Sequence, residues 1–114
     1  MKPYMAKDET LLPLASFKLG EIEVISADVL YNVGYVATEA AMIYAYQTTP
    51  DSGGDPYNSV RGVVNGVMLV IDQARQEQAV SFAVQAGDIW QINYWLASGQ
   101  SITEKRVYRR KIIV

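Results

Sequence analysis

Ile89-Trp90-Gln91-Ile92-Asn93-Tyr94-Trp95-Leu96-Ala97, then Ser98-Gly99-Gln100-Ser101, then Ile102-Thr103-Glu104-Lys105-Arg106-Val107-Tyr108-Arg109-Arg110-Lys111-Ile112-Ile113-Val114: two β-rich runs joined by a short polar turn close the chain. In the first run Trp90, Ile92, Tyr94 and Leu96 fall on one side, while Gln91 and Asn93 fall on the other. That period of two is the signature of a strand with one face in a core. Trp95 stands out of phase with Trp90. One of the two indoles is therefore expected to face outward, where a Trp is a candidate anchor for a partner. The bland alternative is that a second sheet or a bend covers both.

The same punctuation continues upstream. Ala79–Gln85 alternates Val80, Phe82 and Val84 against Ser81, Ala83 and Gln85, and Ala86-Gly87-Asp88 turns it into the Trp90 strand. Val60–Val64 and Val67–Ile71 flank Asn65-Gly66, a dipeptide suited to a two-residue hairpin in which both central residues need positive φ. Asp72–Gln78 reads as a polar turn. Thr49–Ser59, broken by Pro50, Gly53, Gly54 and Pro56, reads as the one long loop. Ala41–Thr48 is predicted to be a strand. Ile22–Val33 is predicted to be a half-buried strand with Ile25, Ala27, Val29, Tyr31 and Val33 on one side, ended by Gly34. Ala15–Leu19 is a short strand candidate.

Met1–Pro13 carries Lys7, Asp8, Glu9 and two prolines without a sustained period, and is read as an N-terminal arm. Residues 14–114 then form a single domain. About seven strands with turns every ~8–12 residues predict an all-β, antiparallel β-sandwich with Greek-key or immunoglobulin-like connections. A barrel is the alternative.

Composition narrows the function classes. The chain has no Cys and no His. Disulfides, thiolate zinc sites and His-based catalysis are therefore outside its chemistry. No Gly-x-Ser-x-Gly elbow is present, and nothing marks Ser16 and Lys18 as a dyad. Asp8-Glu9 fall in the arm and Glu21 and Glu23 near a turn, so no pair of carboxylates is expected to flank a substrate. The chain is read as a non-enzyme with no cofactor. Charged residues are only 19% of the chain, below the ~25% usual for soluble proteins. A sparsely charged surface suits either a face covered by another chain or a compact β-domain rich in Thr, Ser, Gln and Tyr. The net charge of −2 gives no field to attract nucleic acid. No signal-like apolar run opens the chain. Val67–Ile71 is far too short to cross a bilayer, so synthesis in the cytoplasm and no membrane partner are expected.

Three further stretches carry candidate contacts. Lys105, Arg106, Arg109, Arg110 and Lys111 are half of all Lys and Arg. They form either a positive stripe for an acidic protein surface or phosphate backbone, or an edge strand guarded by charge. Asp51-Ser52-Gly53-Gly54-Asp55-Pro56-Tyr57-Asn58 offers oxygens to Ca²⁺ without the EF-hand spacing, or reaches a neighbouring subunit, or is a solvated loop tip. Tyr57 and Trp95 are the candidate platform for a surface glycan.

The run Ala79–Tyr94, continuing through Gly99-Gln100-Ser101-Ile102-Thr103-Glu104-Lys105-Arg106-Val107 to Lys111-Ile112-Ile113-Val114, resembles the small immunoglobulin-like proteins of tailed bacteriophages. Phe17–Val29 is similar to their early segment, whereas Tyr44–Tyr57 is Tyr-rich where theirs is Thr/Gly-rich. The resemblance implies a non-enzymatic virion protein. The expected role is capsid decoration (cement), with a tail-associated role next. The implied partners are the major capsid protein and copies of the chain itself, a homotrimer included. Tyr4, Met5, Leu11 and Leu12 of the arm are expected to supply its apolar contacts.

Overall fold

The computed structural model describes residues 18–114. It is all-β, with two antiparallel sheets packed face to face. The strands are β1 (Lys18–Leu19), β2 (Glu23–Val24), β3 (Tyr35–Val36), β4 (Ala41–Thr48), β5 (Asn58–Val64), β6 (Val67–Ala74), β7 (Glu77–Val84), β8 (Ile89–Trp95) and β9 (Glu104–Ile113). One sheet has the order β1-β9-β4-β7, with β2 also on β9; the other has the order β3-β8-β5-β6. The expected sandwich forms, and the barrel alternative falls because two separate sheets are present. The N-terminal arm, with Tyr4, Met5, Leu11 and Leu12, lies outside the described residues.

The pairing is nested. β5 pairs with β6, β4 with β7, β3 with β8 and β2 with β9. The chain is thus one long hairpin folded over at Asn65-Gly66 and rolled into two layers, which is the jelly-roll arrangement of two Greek keys. This corrects the immunoglobulin-like order. In that order the last strand pairs with the one before it. Here the β8–β9 connection crosses between sheets and lays β9 along β4.

The hairpin that starts the roll is set by local chemistry. Asn65 and Gly66 both hold positive φ, 52° and 82°, as a two-residue turn requires. Asn65 also ties this turn to the neighbouring one, donating to Asp88 Oδ1 at 3.0 Å and accepting from Ile89 N at 2.9 Å. The core comes from the inward positions of both layers. Ile43, Ala45, Val80, Phe82, Val84 and Val107 face Val60, Val64, Trp90 and Ile92. Each large buried side chain contributes about 1.5–3 kcal/mol relative to exposure.

Two expectations are corrected. Ile22–Val33 is not a strand: after β2 the chain makes a 3-10 turn at Ser26–Asp28 and reverses at Asn32, whose φ is 67°. Ser26 Oγ takes over the pairing with β9, accepting from Val107 N at 2.7 Å, and side chains that bond the backbone this way compete with a ladder. Ile25 and Val29 still reach the core, because a four-residue spacing serves a turn of helix as well as a strand. The predicted turn Asp72–Gln78 is mostly strand. β6 continues to Ala74 and β7 begins at Glu77. The polar residues there are used inside: fully buried Gln78 accepts from fully buried Gln47 Nε2 at 2.8 Å.

Candidate functional site: the outer face of the second sheet

In β9 the five cations meet partners within their own chain. Arg106 pairs with Glu104 and lies over the Tyr46 ring at 5.4 Å. Arg109 pairs with Glu23 at 3.0 Å, and Lys111 with Glu39 at 3.5 Å. Lys105 Nζ donates to Val29 O at 2.6 Å and sits over the Tyr31 ring. Arg110 Nε donates to Gly20 O at 2.7 Å. The Arg109 contact holds the Glu23 carboxyl below its usual value and raises Arg109 in turn. The guarded-edge reading is corrected, since β4 covers one side of β9 and β1 and β2 cover part of the other. Of the N-terminal strands that do this, β1 falls within the short candidate Ala15–Leu19, while β2 lies inside the Ile22–Val33 run.

In the Asp51–Asn58 loop the first carboxylate is committed. Asp51 accepts from Arg75 Nε and Arg75 Nη2, both at 2.8 Å, and from Gly53 N at 2.8 Å. These bonds lower the Asp51 carboxyl, the Arg75 contact most. Among the described residues no three Asp, Glu, His or Cys side chains cluster to hold a metal. Asn58, at the end of the loop, is fully buried. It donates to Thr49 Oγ1 and Gln100 Oε1, both at 2.9 Å, and accepts from Ala97 N at 2.9 Å. That knot fixes the base of the loop, and with it Pro56 and Tyr57, against the end of β8.

The register of β6, β5 and β8 then defines the outward surface. Three rows cross it: Gln73–Ser59–Trp95, Ile71–Arg61–Asn93 and Met68–Val63–Gln91. Beyond them Val36 pairs outward with Ile89. Two regions result. Val36, Val63, Met68, Leu69, Ile71 and Ile89 make an apolar field; Met68 and Leu69 are each 51% exposed. A register shift between Gly62 and Val63 places both Met68 and Leu69 on the outside. At the opposite end Asp55, Pro56, Tyr57, Ser59, Arg61, Gln73 and Trp95 enclose a cleft of about 270 Å³.

The two tryptophans separate as their phases require: Trp90 is 4% exposed and Trp95 42%. Trp95 and Tyr57 come together at the cleft. The five basic residues lie on the other sheet and do not join them. Arg61, Ser59, Gln73 and the exposed Met68, Leu69 and Ile71 side chains were missed from sequence. The available signal was a lone arginine inside Val60-Arg61-Gly62-Val63-Val64, and an unbroken apolar run, Val67–Ile71, on a sheet with one open face. No protein-family model matches this chain, and no curated protein matches it.

Proposed function

We propose that the chain is a non-enzymatic structural subunit of a tailed-phage virion, most simply a capsid decoration protein seated on neighbouring subunits. The observation that carries the docking part of this reading is the apolar field on the β3-β8-β5-β6 sheet. Isolated surface apolar residues are ordinary, but six gathered on one sheet face, with Met68, Leu69 and Ile71 together on β6, mark an interaction surface. The virion part rests on the sequence resemblance. It agrees with the jelly roll, a fold that serves viral capsid and lectin domains among others, though a fold hosts many functions. The absence of His and Cys leaves little for catalysis to work with.

The reading makes a direct prediction. Cross-linking mass spectrometry on purified virions should place the Val63–Ile71 region against another subunit. Leu69→Lys should abolish incorporation while leaving the melting temperature of the isolated chain unchanged. A chain absent from virions, or a Leu69→Lys variant that assembles normally, overturns it.

A further inference from the structure

We propose that the cleft between Tyr57 and Trp95 is a saccharide-binding site that holds one pyranose ring against the Trp95 indole. This inference does not rest on the assembly reading; it concerns the polar end of the same sheet face and stands on separate observations.

The first observation is unfilled hydrogen-bonding capacity. Ser59 is 1% exposed and lines the cleft, yet its Oγ has no partner among protein groups. Arg61 Nε is likewise buried without a partner, as is Oδ1 of Asn93, the cross-strand neighbour of Arg61. Buried polar atoms are nearly always paired, and leaving one unpaired is costly. Two of these atoms, Ser59 Oγ and Arg61 Nε, belong to residues that line the cleft, where a ligand's groups recover that cost.

The second observation is the composition of the lining. Arg61 only donates, Asp55 as a carboxylate only accepts, and Gln73 and Ser59 do both. Among the described residues neither Arg61 nor Asp55 is in an ion pair. A sugar hydroxyl both donates and accepts, so it matches such a mixed set. A phosphate needs donors and would be repelled by Asp55, and a metal ion would find one carboxylate. Trp95 and Tyr57 supply the apolar faces, each about two-fifths exposed. Aromatic walls with a few placed polar groups are the usual make-up of a small-ligand site.

The experiment uses the full chain and intrinsic tryptophan fluorescence. Trp90 is buried beneath Tyr35 and Phe82, so a change on titration reports Trp95. The probes are gluco-, galacto- and mannooligosaccharides together with uronic-acid oligosaccharides, checked by calorimetry. At least one is expected to give a saturable change. Trp95→Phe should lose the change while Trp90 emission persists. Arg61→Gln and Asp55→Asn should each weaken binding about tenfold, the loss for one charge-assisted hydrogen bond. Met68→Lys should leave binding intact even where it blocks assembly, which separates this inference from the preceding one. Absence of heat and fluorescence change across the panel overturns the proposal. So does wild-type affinity in Arg61→Gln and Asp55→Asn chains that melt normally.

Discussion

Replacing Gly62 with Ala tests the packing on which both layers depend. Gly62 lies in β5 between Val60 and Val64 and faces inward, opposite Val70 and Ile92 in the flanking strands. Its backbone is not in the left-handed region, so alanine meets no strain of φ. The difficulty is space. A Cβ there would stand 2.6 Å from Phe82 Cε1, closer still to Cδ1, and 3.0 Å from Val70 Cγ2. The Phe82 ring is a rigid body, 3% exposed and packed on Trp90 at a centroid distance of 6.4 Å. It cannot step aside without moving Trp90. Alanine should gain about 0.5–1 kcal/mol from reduced freedom of the unfolded chain, against about 1–3 kcal/mol or more for overpacking. The net expectation is a loss of about 1 kcal/mol, or roughly 5 °C in melting temperature for a domain of this size. Urea melts of Gly62→Ala, Phe82→Leu and the double variant check the cause. If the clash is with the ring, the double variant should be less destabilised than the sum of the singles, by about 1 kcal/mol or more. An unchanged or raised melting temperature for Gly62→Ala refutes the account of how the sheets meet.

Two titrations follow from the charges. The Asp88 carboxyl is lowered from its ordinary 3.8, first by the Gln85 N–H and then by the Asn65 side chain. A lowered folded-state value stabilises above the unfolded one and is lost as pH falls through the folded one. With no His to titrate, the melting temperature should stay level from about pH 8 to 5 and fall below about 4. Asp88→Asn should make that acid fall shallower, and equal slopes count against the turn-to-turn tie. At the other end of the scale, burial pushes the Tyr31 phenol from 10.0 up to about 12. A raised folded-state value stabilises below the unfolded one and is lost as pH rises through the folded one, so stability should drop across pH 10–12. Tyr31→Phe should remove that drop. It should cost nothing at neutral pH, because the buried hydroxyl has no partner; a marked loss at pH 7 would contradict the geometry.

What sequence could reveal follows from which residues were forced. Ala41–Thr48 reads correctly because Ile43 and Ala45 must alternate with Tyr44 and Tyr46 to bury one face. Asn65-Gly66 reads correctly because few other dipeptides accept two positive φ values. The Ile22–Val33 segment misleads because Asp28 N donates to Ile25 O to close a 3-10 turn, while Ser26 Oγ bonds Val107, 81 residues away, in place of a ladder. Asp72–Gln78 misleads because Gln78 is polar yet buried, and its partner Gln47 lies 31 residues upstream. The strand order was the least accessible. Two strands joined by a short turn look like a hairpin until one of them is claimed by the other sheet, as β9 is by β4. The cleft was legible only in part: the phase of Trp95 could be counted, whereas the meeting of Arg61, Gln73 and Tyr57 depends on register across three strands.

The two outward faces differ in a way that bears on where a partner sits. On the β9-containing sheet the outward side chains are neutralised or shielded from within: Arg106 by Glu104 and Tyr46, Arg110 by Gly20 O. The edge strand there, β7, presents Ala79 and Ser81, which with Ile22, Tyr44, Tyr46 and Tyr108 line a groove of about 410 Å³ that holds no unpaired charge. The opposite sheet is built the other way. Arg61 is the one cation in its three central rows and has no carboxylate of its own, while Met68, Leu69 and Ile71 stand exposed beside it. A surface evolved only for solubility would carry its charges on that face. The five β9 cations are met by the chain itself, whereas Ser59 Oγ and Arg61 Nε stay unpaired beside the exposed Met68, Leu69 and Ile71 on the β3-β8-β5-β6 face. That asymmetry is why both the docking field and the saccharide cleft are assigned to one face, and why charging Leu69 and truncating Arg61 should have separable effects.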